Sequence, residues 1–253
     1  MKANIIAIAN HKGGVGKSTT AACLGAALVR SGFKVLLVDL DAQQNLTFML
    51  TGNDEPESSV YDAFVRKASL PIVDAFGGLK LVPASLDLAR AEIDLAQSMA
   101  RERKLAILLE DVGSEYDYII IDCPPSLGII TTNALVAADE LYIPLTAEAL
   151  PMKGLAMLEE VVGEVKKYVN DKLKIGGIIF TRYNNRRLNK EVEKMVKARY
   201  KDIVFNTKIR ENITLAEMPL TGQTIFEYDS KSSGAIDYES LSKEVIARHI
   251  NKK

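Results

Sequence analysis

The run His11-Lys12-Gly13-Gly14-Val15-Gly16-Lys17-Ser18-Thr19 carries the densest chemistry in the chain. It follows an apolar stretch, Asn4–Asn10, and opens a helical pattern over Lys17–Ser31. A strand, a glycine-rich turn and a helix N-terminus in that order make a phosphate grip. Glycine lets consecutive backbone N–H groups turn inward, and the helix end adds partial positive charge. Lys17 supplies a formal charge for β- and γ-phosphates, and the Ser18 hydroxyl suits magnesium. The strict spacing G-x-x-x-x-G-K-[ST] is not met, because position 11 is His. A second lysine, Lys12, stands early in the loop instead.

Three carboxylates accompany the loop. Asp39 and Asp41 close the run VLLVDLD, and Asp122 closes YIIID just before Cys123-Pro124-Pro125-Ser126. In a parallel sheet, strand ends gather on the rim that holds the ligand. Asp122 is thus placed to hold magnesium, directly or through water. Asp39 and Asp41, two apart on extended chain, point the same way. The bland alternative for each is turn formation or helix capping, which aspartate favours after a strand.

The elements that must position these groups are legible as alternating patterns. Asn4–Asn10, Lys34–Asp39, Leu79–Pro83, Tyr118–Asp122, Glu140–Pro144 and Ile175–Thr181 read as buried strands, rich in Ile, Val and Leu. Lys17–Ser31, Leu86–Asp111, Leu127–Ala137, Pro151–Asn170, Leu188–Tyr200 and Ala235–Ile250 read as helices. Repeated β-α-β units imply an α/β fold, a mainly parallel twisted sheet with helices on both faces. Thr51–Ser59 reads as an exposed excursion, and residues 1–253 as one domain.

The 253 residues are 47% hydrophobic and 26% charged, which suits a soluble chain with a large core. The formal charge of −1 excludes a globally basic binder. Cys23 and Cys123 lack metal-ligand spacing and fit a reducing compartment. No signal peptide and no spanning apolar stretch is visible, so the expected location is the cytoplasm, without stable membrane insertion.

KGGVGKST resembles the deviant Walker A motif of the ParA/MinD group of ATPases. The resemblance extends through VDLDAQQN and IIIDCPPS to NITLAEMPLTGQTIFEYDSKSSGA, nearly the whole chain, and is to ParA/Soj-type partition ATPases in particular. It implies the P-loop NTPase fold of the deviant Walker A class, with ATP and Mg²⁺ as cofactors. It implies phosphate binding by Lys12, Gly13, Gly14, Val15, Gly16, Lys17, Ser18 and Thr19. It further implies that Lys12 reaches the nucleotide of a partner subunit in an ATP-sandwich homodimer. Asp41 resembles the catalytic aspartate, while Ser18, Asp122 and Asp39 resemble metal-side groups. Adenine contacts fall on Thr181, Arg182, Ile209, Arg210 and Asn212. The partners implied are nonspecific double-stranded DNA, which would hold the ATP-bound dimer on the nucleoid, and a ParB-like centromere-binding protein that stimulates slow hydrolysis. Three departures are visible. Ala42 and Gln44 stand where the family usually has proline and glycine, Arg210 stands where it often has proline, and Thr214 where relatives often carry a basic residue.

A guanine-reading N-K-x-D sequence is absent, the nearest being Asn189-Lys190-Glu191-Val192, so ATP is expected over GTP. From Arg182 to Arg210 there are ten basic residues and three acidic ones. Arg187, Lys190, Lys194, Lys197 and Lys201 recur every three or four residues, one stripe if the helix runs that far. Val192, Met195 and Val196 would then pack on the sheet. Such a stripe can neutralise DNA phosphates without reading bases, or can simply be a solvated helix face. Two other readings stand beside the partition ATPase. One is a MinD-like membrane-positioning ATPase, for which the tail Ser240–Lys253 is the relevant segment. The other is a regulator that binds nucleotide without hydrolysing it. An iron–sulfur relative is excluded, since no cysteine follows Cys123. The phosphate loop begins almost at residue 11, so no preceding operator-binding module is expected.

Overall fold

The structure is a computed structural model, and it describes residues 3–66, 68–148 and 151–250. The last three positions of the Ser240–Lys253 tail therefore lie outside the described residues. Five core strands are continuous apolar runs: β1 (Asn4–Ile8), β2 (Val35–Asp39), β5 (Tyr118–Asp122), β6 (Glu140–Thr146) and β7 (Lys174–Thr181). Two short strands, β3 (Val73–Asp74) and β4 (Lys80–Val82), complete a seven-stranded sheet in the order β3-β4-β2-β5-β1-β6-β7. All pairings are parallel except β3 with β4.

Alternation along each strand builds two cores. Ile5 and Ala7 of β1 and Ile119 and Ile121 of β5 face one side, with helices α3 (Val60–Val65), α5 (Lys104–Val112), α6 (Ile129–Ala137), α7 (Pro151–Tyr168) and α8 (Arg187–Tyr200) on it. Ile6, Ile8, Leu37 and Ile120 face the other. There they meet α1 (Lys17–Arg30), α2 (Asn45–Thr51), α10 (Ile225–Tyr228) and α11 (Ser233–Ile250). Of two further short helices, α4 (Ala91–Asp94) adds the buried Ala91 to the first core and α9 (Ile213–Glu217) packs Leu215 against the second. The apolar face of α11 is spent on the core, with Leu241 and Val245 fully buried. Among the described residues no helix is long and apolar enough to cross a membrane.

Three expectations are corrected. Leu86–Asp111 is not one helix. It breaks into 3₁₀ turns at Leu86–Arg90 and Arg101–Arg103 and the helices α4 and α5, with Ala100 left-handed at φ 49°. Its buried residues, Leu88, Ala91 and Leu95 before the break and Leu105 and Leu109 after it, keep helical spacing, but none of residues 96–104 is buried, so no packing holds one helix through that stretch. Met195 does not pack on the sheet. It is 52% exposed, and the buried line of α8 is Asn189, Val192, Val196 and Tyr200. Lys201 lies beyond the end of α8, in a left-handed residue at φ 47°.

Gly177 in β7 runs directly under the buried Phe205 ring, where no Cβ fits. The ring is fixed from above by the Arg248 guanidinium at 3.8 Å and from the side by Tyr142. Gly177→Ala is therefore expected to destabilise the fold by about 2 kcal/mol. A thermal melt should show this as a fall of roughly 4–8 °C.

Candidate active site

Parallel register brings the chemistry to one row. Ile8 pairs with Asp122 and Asp122 with Asp39, so the ends of β1, β5 and β2 stand side by side. The chain leaves β1 directly into the phosphate loop. Gly14 and Gly16 take left-handed φ of 72° and 84°, and Gly16 is the N-cap of α1, with no side-chain cap. The free N–H groups of that helix end are left for a ligand. The loop is held from both sides. The buried Asn10 amide donates to the Pro144 carbonyl at 2.7 Å and its oxygen accepts from the Lys12 N–H at 3.1 Å. On the far side the Thr181 hydroxyl donates to the Val15 carbonyl at 2.8 Å. Lys17 is buried at the rim, whereas Lys12 points outward and pairs with Glu148.

The three aspartates differ sharply in what they touch. Asp39 is fully buried. One of its oxygens accepts from the Asp41 N–H at 3.0 Å, and the other from the Thr47 N–H and hydroxyl at 2.9 and 2.7 Å. Burial still outweighs these bonds and pushes its carboxyl up to about 6. Asp41 is buried at the edge and accepts from the Gln43 N–H at 3.0 Å. Neither oxygen of Asp122 has a partner in good hydrogen-bonding geometry among the described residues, although the side chain is fully buried; the Ser18 hydroxyl is close enough to pull on it but does not satisfy it. Desolvation, then the charge of Asp39, hold the Asp122 carboxyl well above its usual range, against the opposing pull of Ser18 and Lys17. A buried carboxylate left unsatisfied is costly unless a cation meets it.

That donor set fits magnesium. No group of three or more His, Cys, Asp or Glu side chains among the described residues forms a metal cage. Mg²⁺ is characteristically held by one or two protein oxygens together with phosphate oxygens and water. Asp122 offers open oxygens beside Ser18, while the oxygens of Asp39 are engaged in the turn behind it.

Beside the phosphate loop opens a cavity of about 590 Å³. Gly14, Gly16 and Thr19 line one side, and Thr181, Arg182, Ile209, Arg210, Asn212 and Leu215 the other. Its size and mainly apolar lining suit a nucleoside. Arg210 and Asn212 meet it as wall, with side chains already committed. The Arg210 guanidinium is bidentate on Asp237 of α11, and the Asn212 side chain caps α9 and donates to Ser233 at 2.9 Å.

The basic stripe is only partly free. Arg187 pairs with Glu191, and Lys197 with Glu193. Glu193 also accepts from Lys208 and from the Tyr183 hydroxyl, both at 2.6 Å. Burial alone would raise the Glu193 carboxyl, but these three hydrogen bonds outweigh it and hold it at about 2. Lys190, Lys194 and Lys201 are exposed and form no ion pair among the described residues.

Residues 3–175 match the family model described as an AAA domain. The chain is 44% identical over 243 residues to the chromosome-partitioning ATPase Soj of Treponema pallidum, covering 94% of this chain and 95% of that one. It is equally 44% identical over 248 residues to the sporulation initiation inhibitor protein Soj of Bacillus subtilis, covering 96% and 98%. The chain belongs to the ParA/Soj family of chromosome-partitioning ATPases. Among solved structures, this ParA/Soj-family chain superposes on cobyrinic acid a,c-diamide synthase from Mycobacterium smegmatis with bound ADP and magnesium. The TM-score is 0.88 at 33% identity, covering 99% of this chain and 97% of that one. The P-loop architecture of the family is thus the architecture found here.

Four groups that position this ParA/Soj-family site were not singled out from sequence. They are Asn10, Thr47, Glu148 and Asp237. Glu148 lies 136 residues from Lys12, and Asp237 lies 27 from Arg210, so no local pattern links them. Asn10, placed between strand and loop, is the one that turn chemistry alone could flag.

Proposed function

We propose that this chain is an ATP- and Mg²⁺-dependent DNA-segregation ATPase that closes into a nucleotide-sandwich dimer. The observation that carries the reading is Asp122, a buried carboxylate with both oxygens unsatisfied, facing the N-terminus of α1 across Ser18 and Lys17. That is an electrostatic deficit of the kind a magnesium–triphosphate completes. Ser18 and Asp122 would hold the ion, with Asp39 behind them. Bound there, magnesium would neutralise the charge on the β- and γ-phosphate oxygens.

The remaining work falls to the chain's own groups. Backbone N–H groups of residues 13–19 and the Lys17 ammonium hold the phosphates. Asp41 orients the attacking water and accepts its proton at a carboxylate oxygen. Lys12 lies on the outside of the loop, where a second subunit's phosphates can meet it once it leaves Glu148. Arg182 and the 209–212 segment enclose adenine.

Two subunits joined in this way would present two α8 helices. Lys190 and Lys194, and Lys201 just beyond, are then free to meet backbone phosphates, with Arg187 and Lys197 available on exchange of their carboxylate partners. Binding would be sequence-independent and would place the dimer on the nucleoid. A ParB-like centromere-binding protein then triggers hydrolysis and release.

The test is duplex-DNA binding with ATP, ADP or no nucleotide, repeated across salt. Binding should require ATP and weaken steeply as salt rises. Lys190→Glu with Lys194→Glu should weaken it about tenfold or more for every sequence and flatten the salt slope by about two per subunit. Binding to anionic liposomes in place of DNA would overturn the reading.

A further inference from the structure

We infer that Gln44 is a positioning residue that straps the Asp41 turn into its working shape. Residues 41–44 form a tight turn, closed by the Gln44 N–H donating to the Asp41 carbonyl at 2.9 Å. Gln44 ends it in a left-handed conformation, φ 57° and ψ 23°, which costs any residue with a Cβ. Its side chain is buried and opposes that cost. The amide donates to the Asp54 carbonyl at 2.7 Å and to the Ala84 carbonyl at 3.2 Å. The Ala84 N–H in turn donates to the Thr47 hydroxyl at 3.0 Å, and that hydroxyl donates to Asp39. The turn behind Asp41 is thereby tied to the chain after β4 and to the loop after α2. Glycine would relax the backbone at position 44 but would leave the buried Ala84 carbonyl without this donor and hand the Asp54 carbonyl, on an exposed residue, to water.

The inference rests on the proposed role of Asp41 in hydrolysis. It predicts that Gln44 acts on turnover and not on nucleotide capture, because the phosphate loop is held independently by Asn10 and Thr181. Two variants separate strain from strapping. Gln44→Gly removes the left-handed penalty together with the strap. Gln44→Glu keeps the length and removes the donor.

Full-length protein is assayed with duplex DNA, Mg²⁺ and ATP, with Asp41→Ala as background. Both variants should lose about five- to twentyfold in kcat with KM within about twofold, although Gln44→Gly should melt close to the parent. Amide exchange of residues 41–45, measured without nucleotide, should accelerate in both. Parent-like exchange, a parent-like kcat where the parent itself turns over faster than Asp41→Ala, or a loss explained wholly by a lower melting point would overturn the strap. Accelerated exchange in both variants, with a parent no faster than Asp41→Ala, would sustain the strap while overturning the hydrolytic reading of the site.

Discussion

Asp41→Ala is expected to retain ATP while losing hydrolysis by a factor of about 10²–10⁴. The phosphate grip owes nothing to this side chain. Gly14 and Gly16 shape it, Lys17 charges it, and Asn10 and Thr181 hold it in place. The side chain of Asp41 accepts one hydrogen bond, from Gln43 in its own turn, so its removal leaves the core untouched. ATP affinity and melting temperature should stay near the parent. The closed dimer should then persist on DNA, because release depends on hydrolysis in the proposed cycle. Single-turnover phosphate release, paired with DNA dissociation after dilution, reads both effects. Phosphate release near the parent rate would remove Asp41 from the chemistry.

Asp122→Asn should have the opposite character: a more stable empty protein and a lost response to Mg²⁺–ATP. In the absence of ligand the parent carries a fully buried carboxylate left unsatisfied. An amide of the same shape abolishes the charge and should raise stability by roughly 1–3 kcal/mol, about 3–10 °C. The sign with pH is fixed. The folded-state carboxyl is raised, so the folded chain holds a proton that the unfolded chain has released. Parent stability is therefore fully present below the unfolded value near 3.9 and is lost as pH rises through the folded one. The advantage of the variant should be absent at low pH and open as pH rises. With Mg²⁺ and ATP the ranking should reverse, because the parent gains by mass action and the variant does not. Differential scanning calorimetry across pH, with and without ligand, tests this. A variant still stabilised fully by Mg²⁺–ATP would show that Asp122 does not hold the ion.

Much of this is legible in the sequence. Continuous Ile and Val runs mark strands buried on both faces, and they gave the five central strands close to their true bounds. The phosphate loop was legible because its chemistry is local. β3 was missed because Val73–Asp74 is a two-residue edge strand with both residues exposed, which leaves no apolar signature. The α3 helix was also missed, although Ser59 and Asp62 form a capping box that spacing alone announces. Leu86–Asp111 was read too regularly, since composition favours a helix where tertiary packing demands a left-handed break at Ala100. What no single segment encodes is partner choice between distant residues. Glu148 on Lys12, Asp237 on Arg210 and the Ala84 carbonyl on Gln44 exist only after the sheet has assembled.

The closing helix, α11, touches both poles of the sheet. Near its start, Asp237 grips Arg210 in the cavity wall and the Tyr238 hydroxyl meets Thr20 of α1 at 3.1 Å. Near its end, Arg248 reaches the carbonyls of Gly176 and Val204, and His249 stacks on Tyr118. A strut fastened at both poles cannot peel away without opening the nucleoside wall. Occupancy of that wall, gripped at Asp237, should therefore slow fraying at His249, twelve residues along the same rod, so that the carboxyl-terminal amides report on what the opposite pole holds.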